Sequence, residues 1–334
     1  MIRKNFAKYP TPDSPVLYVL TSRGCPHKCT YCLNARYIRL FGFSPIRFRS
    51  VDHFMGEMEY SLNKLDFIKR IIIGDDDFLL RPREELERFA SEYKKRIGLP
   101  FGIAGSANTF KKEKMEILLD AGLDAFQIGV QSGSQRILDE VFNRKVPVSK
   151  TKNVIRQIEP YTKSHGLKFA VDFIIDNPYE TSDDILQTYR YLLDLPLENV
   201  QTNVFLLSFL PGSPLCDRAL KDGFIEPFSE KTFRDWNRRK FIYQNNYVTL
   251  LILIFRFLNH LGYRPYIPKF ILRAMGSSPV RIFASIFPES LYAFLLRKIW
   301  KHTPSGQFNW SDSYNSGKNN VLSKTKTEHI LTST

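Results

Sequence analysis

The chain has 334 residues, of which 43% are apolar, and a formal net charge of +14, an ordinary globular composition that can supply a full core. Its first 15 residues contain no apolar signal segment. The longest unbroken apolar run, Leu250 to Phe255, is far shorter than the roughly 18 residues that suggest a membrane span. We therefore expect neither secretion nor a transmembrane segment. Three of the four cysteines are clustered, which does not resemble a disulfide framework and favours a cytoplasmic protein.

Six short apolar runs alternate with segments of helical periodicity over the first two-thirds of the chain. No hairpin signal separates the runs, so they predict a parallel sheet wrapped by helices, either an open doubly wound sheet or a partial barrel. Each run is followed by a polar or glycine-rich stretch. In parallel β/α folds such stretches meet at the C-terminal ends of the strands. The runs comprise residues 16–20, 67–73, 101–105, 125–130, 168–175 and 203–207.

The region after Phe224 loses this alternation and reads as short apolar helices broken by prolines. These helices predict a cap that packs on the barrel, and docking on a membrane surface is the alternative. Between Glu226 and Trp300 there are 12 Lys/Arg and 4 Asp/Glu. Such charge without a recognised nucleic-acid motif does not favour nucleic acid as a partner. From His302 onward the chain is rich in Ser, Thr, Asn and Lys, which predicts disorder.

The stretch RGCPHKCTYC contains the three clustered cysteines and one histidine. Thiolates at close spacing hold zinc or iron–sulfur centres. A structural zinc site normally has four ligands, and His27 would have to supply the fourth in a cramped loop, because Cys216 stands alone. A cubane cluster has four irons, so three cysteines leave one iron open to another ligand. The residues by themselves leave both kinds of centre open.

The spacing Cys25-x3-Cys29-x2-Cys32, with the aromatic Tyr31 just before the last cysteine, resembles the radical S-adenosylmethionine (SAM) superfamily. The resemblance implies that the three cysteines bind a 4Fe-4S cluster, that SAM chelates the open iron and that Tyr31 lies against the adenine. It also implies that the reduced cluster cleaves SAM to a 5′-deoxyadenosyl radical, which takes a hydrogen atom from the substrate. In this interpretation His27 has no ligand role.

The sequence IIIGDDDF resembles the second-strand motif of cobalamin-dependent members of that superfamily. The resemblance places Asp75 and Asp76 near the methionine amino group of SAM, with Asp77 as the spare carboxylate. A carboxylate facing an ammonium group makes a charge-assisted contact. The alternative is that the three aspartates form a solvated turn or a helix cap.

The segment QSGSQRILDEVFNRK resembles the fourth-strand motif, which is commonly Glu-Ser-Gly-Ser. Gln131 replaces that Glu, as in the oxygen-independent coproporphyrinogen oxidase branch. The resemblance implies that Gln131, Ser132 and Arg144 contact SAM, with Arg144 as a bidentate partner of the methionyl carboxylate. In VDFIIDNPYET, Asp172 stands where related enzymes place a carboxylate on the ribose hydroxyls. The loop DNPYET lacks the two glycines that many members carry, so only a general contact is expected there.

The resemblance covers about residues 15–225. It implies that the α/β sheet is a partial (β/α)6 TIM-like barrel with a C-terminal helical extension. We expect an N-terminal lead-in over residues 1–14, a radical SAM core over 15–225, a helical cap over 226–301 and a disordered tail over 302–334. Cobalamin-dependent relatives usually carry an N-terminal cobalamin-binding domain, which the 24 residues before Cys25 are too few to form. Cobalamin is therefore expected only through a partner or a missing domain.

The leading hypothesis is a radical SAM enzyme with one 4Fe-4S cluster. It would make a 5′-deoxyadenosyl radical or, with cobalamin supplied by a partner, methylate an unactivated carbon. The expected partners are a small-molecule or peptide substrate and an external electron donor of the flavodoxin or ferredoxin type. The alternative is a non-catalytic zinc- or iron–sulfur-stabilised binding module with a basic C-terminal interaction surface. The substrate itself is not predicted, because loops and cap rather than the shared barrel determine it.

Overall fold

The computed structural model describes residues 15–43, 46–196, 200–227, 241–260 and 266–302. Its strands are β1 (Val16–Val19), β2 (Ser22–Arg23), β3 (Arg47–Phe48), β4 (Arg70–Ile73), β5 (Phe101–Gly105), β6 (Leu123–Gln131), β7 (Lys168–Ile175) and β8 (Val200–Leu206). Six of them form one sheet in the order β1-β4-β5-β6-β7-β8, and every neighbouring pair in it is parallel. Strands that follow one another in the chain are thus neighbours in space, which is the winding of a (β/α) barrel.

The sheet confirms the predicted α/β fold, a partial (β/α)6 barrel with β1 and β8 at its two edges. Strands β5 and β7 have the predicted limits, whereas β6 is longer at both ends and β8 begins three residues earlier. The antiparallel pair of β2 and β3 was not predicted. Two-residue strands carry no periodicity, so no sequence pattern could have indicated them.

Helices connect the strands and cover the sheet. They are α1 (Leu33–Phe41), α2 (Val51–Lys64), α3 (Arg83–Arg96), α4 (Lys112–Asp120), α5 (Val148–Ser164), α6 (Ser182–Asp194) and α7 (Pro214–Lys221). Helix α6 illustrates the local signals that form these helices. Thr181 and Asp184 form a capping box at its start, and Tyr189 and Leu192 are among the residues it buries.

After the barrel, the described residues form four further helices: α8 (Tyr247–His260), α9 (Lys269–Met275), α10 (Ser278–Ala284) and α11 (Glu289–His302). Helix α8 packs between α6 and α11, and α9 packs on α6. The hydroxyl of Tyr189 donates a 2.8 Å hydrogen bond to the carbonyl of Leu272, which fixes α9 to the barrel. The predicted domain limits stay predictions, and the lead-in 1–14 and nearly all of the predicted tail lie outside the described residues.

Across the described ranges, no single helix is both long and apolar enough to cross a membrane. The pair formed by Ser278–Ala284 and Glu289–Lys301 meets the length and composition requirement only when taken together, and it is bent by 103°.

Candidate active site

The C-terminal ends of the barrel strands surround a cavity of about 250 Å³. The polar stretches after β1, β4, β5 and β6 and side chains of β6 and β7 contribute to its wall, as expected for a parallel β/α fold. Eight of the ten residues for which the sequence predicts a cofactor contact line it. They are Cys25, Cys29, Tyr31, Cys32, Asp76, Gln131, Arg144 and Asp172.

The three cysteines occupy a tight loop between β2 and α1. Cys32 is the N-cap of α1, and its backbone N–H bonds the carbonyl of Cys29 at 3.0 Å. Burial raises the pKa of the Cys25 thiol to about 12 and also raises the pKa of Cys32. None of the four cysteines forms a disulfide, and Cys216 is buried in an apolar cluster beside the loop and does not line the cavity. The cluster of three cysteines is therefore the part of the chain with thiols available to a metal centre.

The cysteine loop rests on the end of a short π-helix, Ile137–Val141. The N–H of Thr30 bonds the carbonyl of Phe142 at 2.9 Å, and its hydroxyl bonds the carbonyl of Val141 at 2.5 Å. The ring of Tyr31 lies edge-on to Phe142, with ring centroids 4.9 Å apart. These contacts hold the cysteine loop in a fixed position relative to the segment that follows β6.

The π-helix also directs Arg144 into the cavity. Asn143 adopts a left-handed φ of 45°, and the N–H of Arg144 bonds the carbonyl of Leu138 at 2.7 Å, a Schellman-type ending. The guanidinium then donates from Nη2 to the carbonyl of Gly129 at 2.7 Å and from Nη1 to the hydroxyl of Tyr31 at 3.2 Å. An arginine that follows a helix end is thus half-buried at the cavity here rather than solvent-facing.

Gln131 reaches the cavity because β6 is irregular at its end. The pairing register of β6 with β7 shifts between Gly129 and Gln131, and Gln131 has a positive φ of 71°. A Cβ atom at position 129 would lie 2.2 Å from the Gln131 Nε2 atom, so glycine leaves the space that the Gln131 side chain fills. Strained backbone in this region of φ is typical of functional sites.

Asp172 is held in place by two amides. Gln127 on β6 donates to one carboxylate oxygen at 2.6 Å, and Asn203 on β8 donates to the other at 2.8 Å. Burial raises the pKa of Asp172 to about 6, although both amides lower it. Sequence reasoning missed Gln127 and Asn203. Gln127, Gly129 and Gln131 alternate along β6 with the two-residue period of one strand face, a signal that could have identified Gln127.

The three aspartates after β4 have three different environments. Asp76 is exposed, lines the cavity and accepts a 2.8 Å hydrogen bond from the Asn34 amide. Asp77 lines the cavity too, and burial raises its pKa to about 6 despite hydrogen bonds from Thr109 and the Leu79 N–H. Asp77 also caps the 3₁₀ turn Phe78–Leu80, as the helix-cap alternative predicts for one of them.

Asp75 does not line the cavity, contrary to the sequence-based placement. Its buried carboxylate accepts hydrogen bonds from the N–H and hydroxyl of Thr21 at 2.6 and 2.5 Å and from the N–H of Ser22 at 2.9 Å. The Arg81 guanidinium lies 3.7 Å away. Because these groups already surround Asp75, its carboxylate holds the chain between β1 and the cysteine loop. Asp77, not Asp75, accompanies Asp76 at the cavity.

Ser132 is likewise not part of the cavity wall. It is fully buried against α6, with its hydroxyl 3.3 Å from that of Thr188, and it accepts a hydrogen bond from the Ser134 N–H at 3.1 Å. Ser134 in turn donates to Asp184 at 2.6 Å. The Ser-Gly-Ser sequence therefore joins the end of β6 to α6.

The loop DNPYET holds the C-terminal segment of the chain. Asp176 has a positive φ of 60°, and its carboxylate accepts backbone N–H bonds from Ile242, Tyr243 and Gln244 at 2.8 to 3.0 Å. The aspartate takes the left-handed conformation that glycine would otherwise favour. The expected general contact of this loop with adenine stays a prediction.

Comparison with known proteins agrees with this geometry. Residues 19–192, about half of the chain, match the profile of the Radical SAM superfamily. The chain belongs to the radical SAM superfamily. Two curated relatives are the uncharacterized methyltransferase PH0819 of Pyrococcus horikoshii, 23% identical over 65% of this chain and 45% of its own, and the cytidylyl-2-hydroxyethylphosphonate methyltransferase of Streptomyces wedmorensis, 25% identical over 65% and 40%. The chain thus matches less than half the length of these relatives.

A solved structure supports the fold. The radical SAM methyltransferase TsrM of Kitasatospora setae, determined with tryptophan and a SAM analogue bound, has a TM-score of 0.51 and 18% identity over 63% of this chain and 39% of its own. The two curated relatives are methyltransferases by name, and a further solved structure of TsrM holds cobalamin and a 4Fe-4S cluster.

The radical SAM family implies a 4Fe-4S cluster and SAM, and the cavity contains groups that fit them. Three thiols face one side of it, and the buried Nε of Arg144 and Nε2 of His27 have no hydrogen-bond partner among the described residues. Burial and the nearby Arg144 charge lower the pKa of His27. The cavity thus offers thiol groups as ligands for iron, a half-buried cation for a carboxylate and carboxylates for an ammonium group, which is the donor set that SAM and a cluster require.

A second, more apolar cavity of about 670 Å³ adjoins the first on the β1 side of this radical SAM barrel. The two share Cys25, Cys32, Asn34 and Asp76. Its wall includes Leu20 from the chain after β1, Leu210 from the chain after β8, and residues of α1 such as Tyr37 and Phe41. This second cavity thus lies beside the cysteine loop, between the chain after one edge strand and the chain after the other.

Proposed function

We propose that Cys25, Cys29 and Cys32 bind one 4Fe-4S cluster and that this chain cleaves SAM to a 5′-deoxyadenosyl radical. The observation that carries the proposal is the arrangement of these thiols around the same cavity as Arg144 and Asp172. When bound, the reduced cluster would supply one electron to the sulfonium and break its bond to the 5′-carbon. An external donor of the flavodoxin or ferredoxin type would restore that electron.

The side chains of the cavity divide the recognition of SAM among them. The Arg144 guanidinium is directed by Gly129 and Tyr31, so its cation would bind the methionyl carboxylate. Asp76, with Asp77 beside it, would bind the amino group, and Asp172 would accept from the ribose hydroxyls. Gln131 would add a polar contact, and Tyr31 would lie against the adenine. The neighbouring apolar cavity would take the substrate, a small molecule or a peptide.

The test is 5′-deoxyadenosine formation by anaerobically reconstituted full-length chain with SAM and a strong reductant. Wild type and Cys216→Ala, the control in which a cysteine outside the cavity is removed, should form it. Cys29→Ala should show only background, because the cluster loses a ligand. Equal product from wild type and Cys29→Ala would overturn the proposal.

The rival from another class is a zinc- or iron–sulfur-stabilised binding module without catalysis. His27 lines the cavity and therefore makes this rival testable. However, no three His, Cys, Asp or Glu side chains in the described ranges converge on one point as ligands of a single ion would. Each cysteine of a cubane binds a different iron, so a cluster does not need such convergence. We expect His27→Ala to retain iron and visible absorbance, and a loss of metal with zinc in the wild type would favour the rival.

A second candidate function is methylation of an unactivated carbon with cobalamin supplied by a partner. It is favoured by the names of the relatives, two of which are methyltransferases, and by the cavity that opens beside the cysteine loop. Addition of cobalamin to the reconstituted chain should then convert SAM to S-adenosylhomocysteine. Formation of 5′-deoxyadenosine alone, with no S-adenosylhomocysteine, would oppose it.

A further inference from the structure

The C-terminal helices expose more large apolar side chains for their length than the rest of the described protein. Of the 20 large apolar side chains that are exposed in the described residues, 10 lie between Tyr266 and Phe294. Phe270, Ile282 and Ile286 are among them, with exposed fractions of 72%, 69% and 74%. Such a concentration of exposed apolar side chains in one short region indicates an interaction site rather than ordinary scatter.

These helices are apolar on both of their sides. Helix α11 buries Tyr292 and Leu296 against the core, with exposed fractions of 6% and 0%, while Phe294 between them is 53% exposed. The neighbouring helix α10 buries Ala284 and exposes Ile282 and Phe283. A helix at the surface of a soluble protein normally has a polar outer side, so exposed Ile and Phe side chains on these helices indicate a second apolar environment.

Basic side chains accompany this surface. Residues 266–302 contain six Lys/Arg and a single acidic residue, Glu289. Lys269, Lys298 and Lys301 are exposed. We call the exposed apolar side chains between Tyr266 and Phe294, together with the Lys and Arg residues of the same helices, the apolar–basic face. Its positive charge is complementary to anionic headgroups.

The apolar–basic face is fixed to the barrel. Besides the bond of Tyr189 to Leu272, the packing of Gly276 on α6 is so close that a Cβ there would lie 3.2 Å from the Tyr189 ring. Arg281 pairs with Asp183 at 3.3 Å, and Arg273 pairs with Asp194 at 3.3 Å. The outward apolar residues therefore belong to a rigid surface of the folded protein.

We propose that the apolar–basic face docks this protein on the surface of an anionic phospholipid membrane, with the apolar residues of α9 to α11 at the acyl boundary and the lysines at the headgroups. Interfacial helices have this combination of Phe, Ile and Leu with Lys and Arg. The cores of protein–protein interfaces are, by contrast, depleted in lysine. Taken together, α10 and α11 are long and apolar enough for a membrane span. Their 103° bend, however, fits a helix pair that lies in the plane of the membrane–water interface.

The proposal does not depend on the cluster or on SAM, so its test measures binding alone. Full-length protein is sedimented with vesicles of phosphatidylcholine, and with vesicles in which part of the phosphatidylcholine is replaced by phosphatidylglycerol. Wild type should bind the anionic vesicles, and roughly tenfold less should bind after Ile282→Ser/Phe283→Ser/Ile286→Ser, since apolar insertion contributes most of the affinity. The matched control Leu40→Ser/Tyr60→Ser removes side chains that are 64% and 67% exposed elsewhere and should bind as wild type does.

Charge is tested separately with Lys298→Glu/Lys301→Glu, which should remove the preference for phosphatidylglycerol. Sedimentation velocity without vesicles shows whether a second copy of the chain covers the face instead. The proposal is overturned if wild type binds neither kind of vesicle, if the triple variant binds as well as wild type, or if wild type is a dimer that the triple variant converts to a monomer. Circular dichroism of each variant should match that of the wild type, because every substituted side chain is exposed.

Discussion

Arg144 donates a 2.7 Å hydrogen bond from Nη2 to the carbonyl oxygen of Gly129, so the guanidinium that reaches the cavity is fixed by the strand it crosses. The same glycine makes room for Gln131. One position of β6 thus governs two of the side chains proposed to bind SAM, and its replacement is the most selective probe of the site.

Gly129→Ala should weaken SAM binding by about tenfold or more and leave the fold intact. The added Cβ would lie 2.2 Å from the end of the Gln131 side chain, which can move aside, and 3.3 Å from the Arg144 Nη2 atom. The loss corresponds to about one charge-assisted hydrogen bond. Equilibrium binding of SAM and a urea titration measure the two effects. Gly56→Ala, where no atom lies within 4 Å of the new Cβ, is the control and should match wild type in SAM affinity.

Gly133→Ala should destabilise the protein, whereas Gly129→Ala should leave the fold intact. Its Cβ would lie 2.6 Å from the Thr188 Cα atom and 2.7 Å from the Gln187 carbonyl oxygen, which are backbone atoms of α6 that cannot move without shifting the helix. We expect the free energy of unfolding to fall by about 1–3 kcal/mol, the usual cost of overpacking. A urea midpoint equal to that of Gly56→Ala would contradict this close packing of the Ser-Gly-Ser loop on α6.

Asp75→Ala and Asp76→Ala should differ in what they damage. Removing Asp75 leaves the buried Arg81 and the donors of Thr21 and Ser22 without this acceptor, so stability should fall by about 3–5 kcal/mol. Iron content should fall with it, because the cysteine loop follows directly. Asp76 is exposed, so Asp76→Ala should change stability by less than about 0.5 kcal/mol but weaken SAM binding.

Thermal unfolding, iron content and SAM affinity are measured on both aspartate variants. A stable, iron-replete Asp75→Ala variant that no longer binds SAM would restore the sequence-based placement of Asp75 in the cofactor site.

Protonation of Asp172 should make SAM binding dependent on pH. Burial raises the pKa of its carboxyl to about 6, so the group is ionised at neutral pH and gains a proton as the pH falls below that value. Because the ionised form is the better acceptor for ribose hydroxyls, SAM affinity should decrease as the pH falls through about 6. Asp172→Asn should bind weakly and lose this pH dependence. Cluster absorbance recorded in the same samples separates loss of SAM from loss of iron, and an Asn variant with the wild-type profile would exclude this role.

The sequence by itself determined the barrel and the family. Near-continuous apolar runs such as those of β5 and β7 predict strands without knowledge of their neighbours, since burial on both faces of a parallel sheet demands apolar residues. The spacing of Cys25, Cys29 and Cys32 is also a local pattern, so it can be recognised without knowledge of the tertiary structure. The convergence of the polar stretches could also be predicted, because parallel strands end at the same edge of a sheet.

Only the tertiary structure decided which polar residues face the cavity. Three adjacent aspartates look alike in sequence, yet Asp75 turns inward to Thr21 because a buried Arg81 and two backbone donors surround it, whereas Asp76 and Asp77 line the cavity. The direction of a side chain depends on partners that are distant in sequence. Thr21 and Ser22, for example, precede Asp75 by more than 50 residues. The C-terminal helices are a second example. Their apolar composition is evident from the sequence, but only their packing on α6 and α8 decides which of their side chains remain exposed.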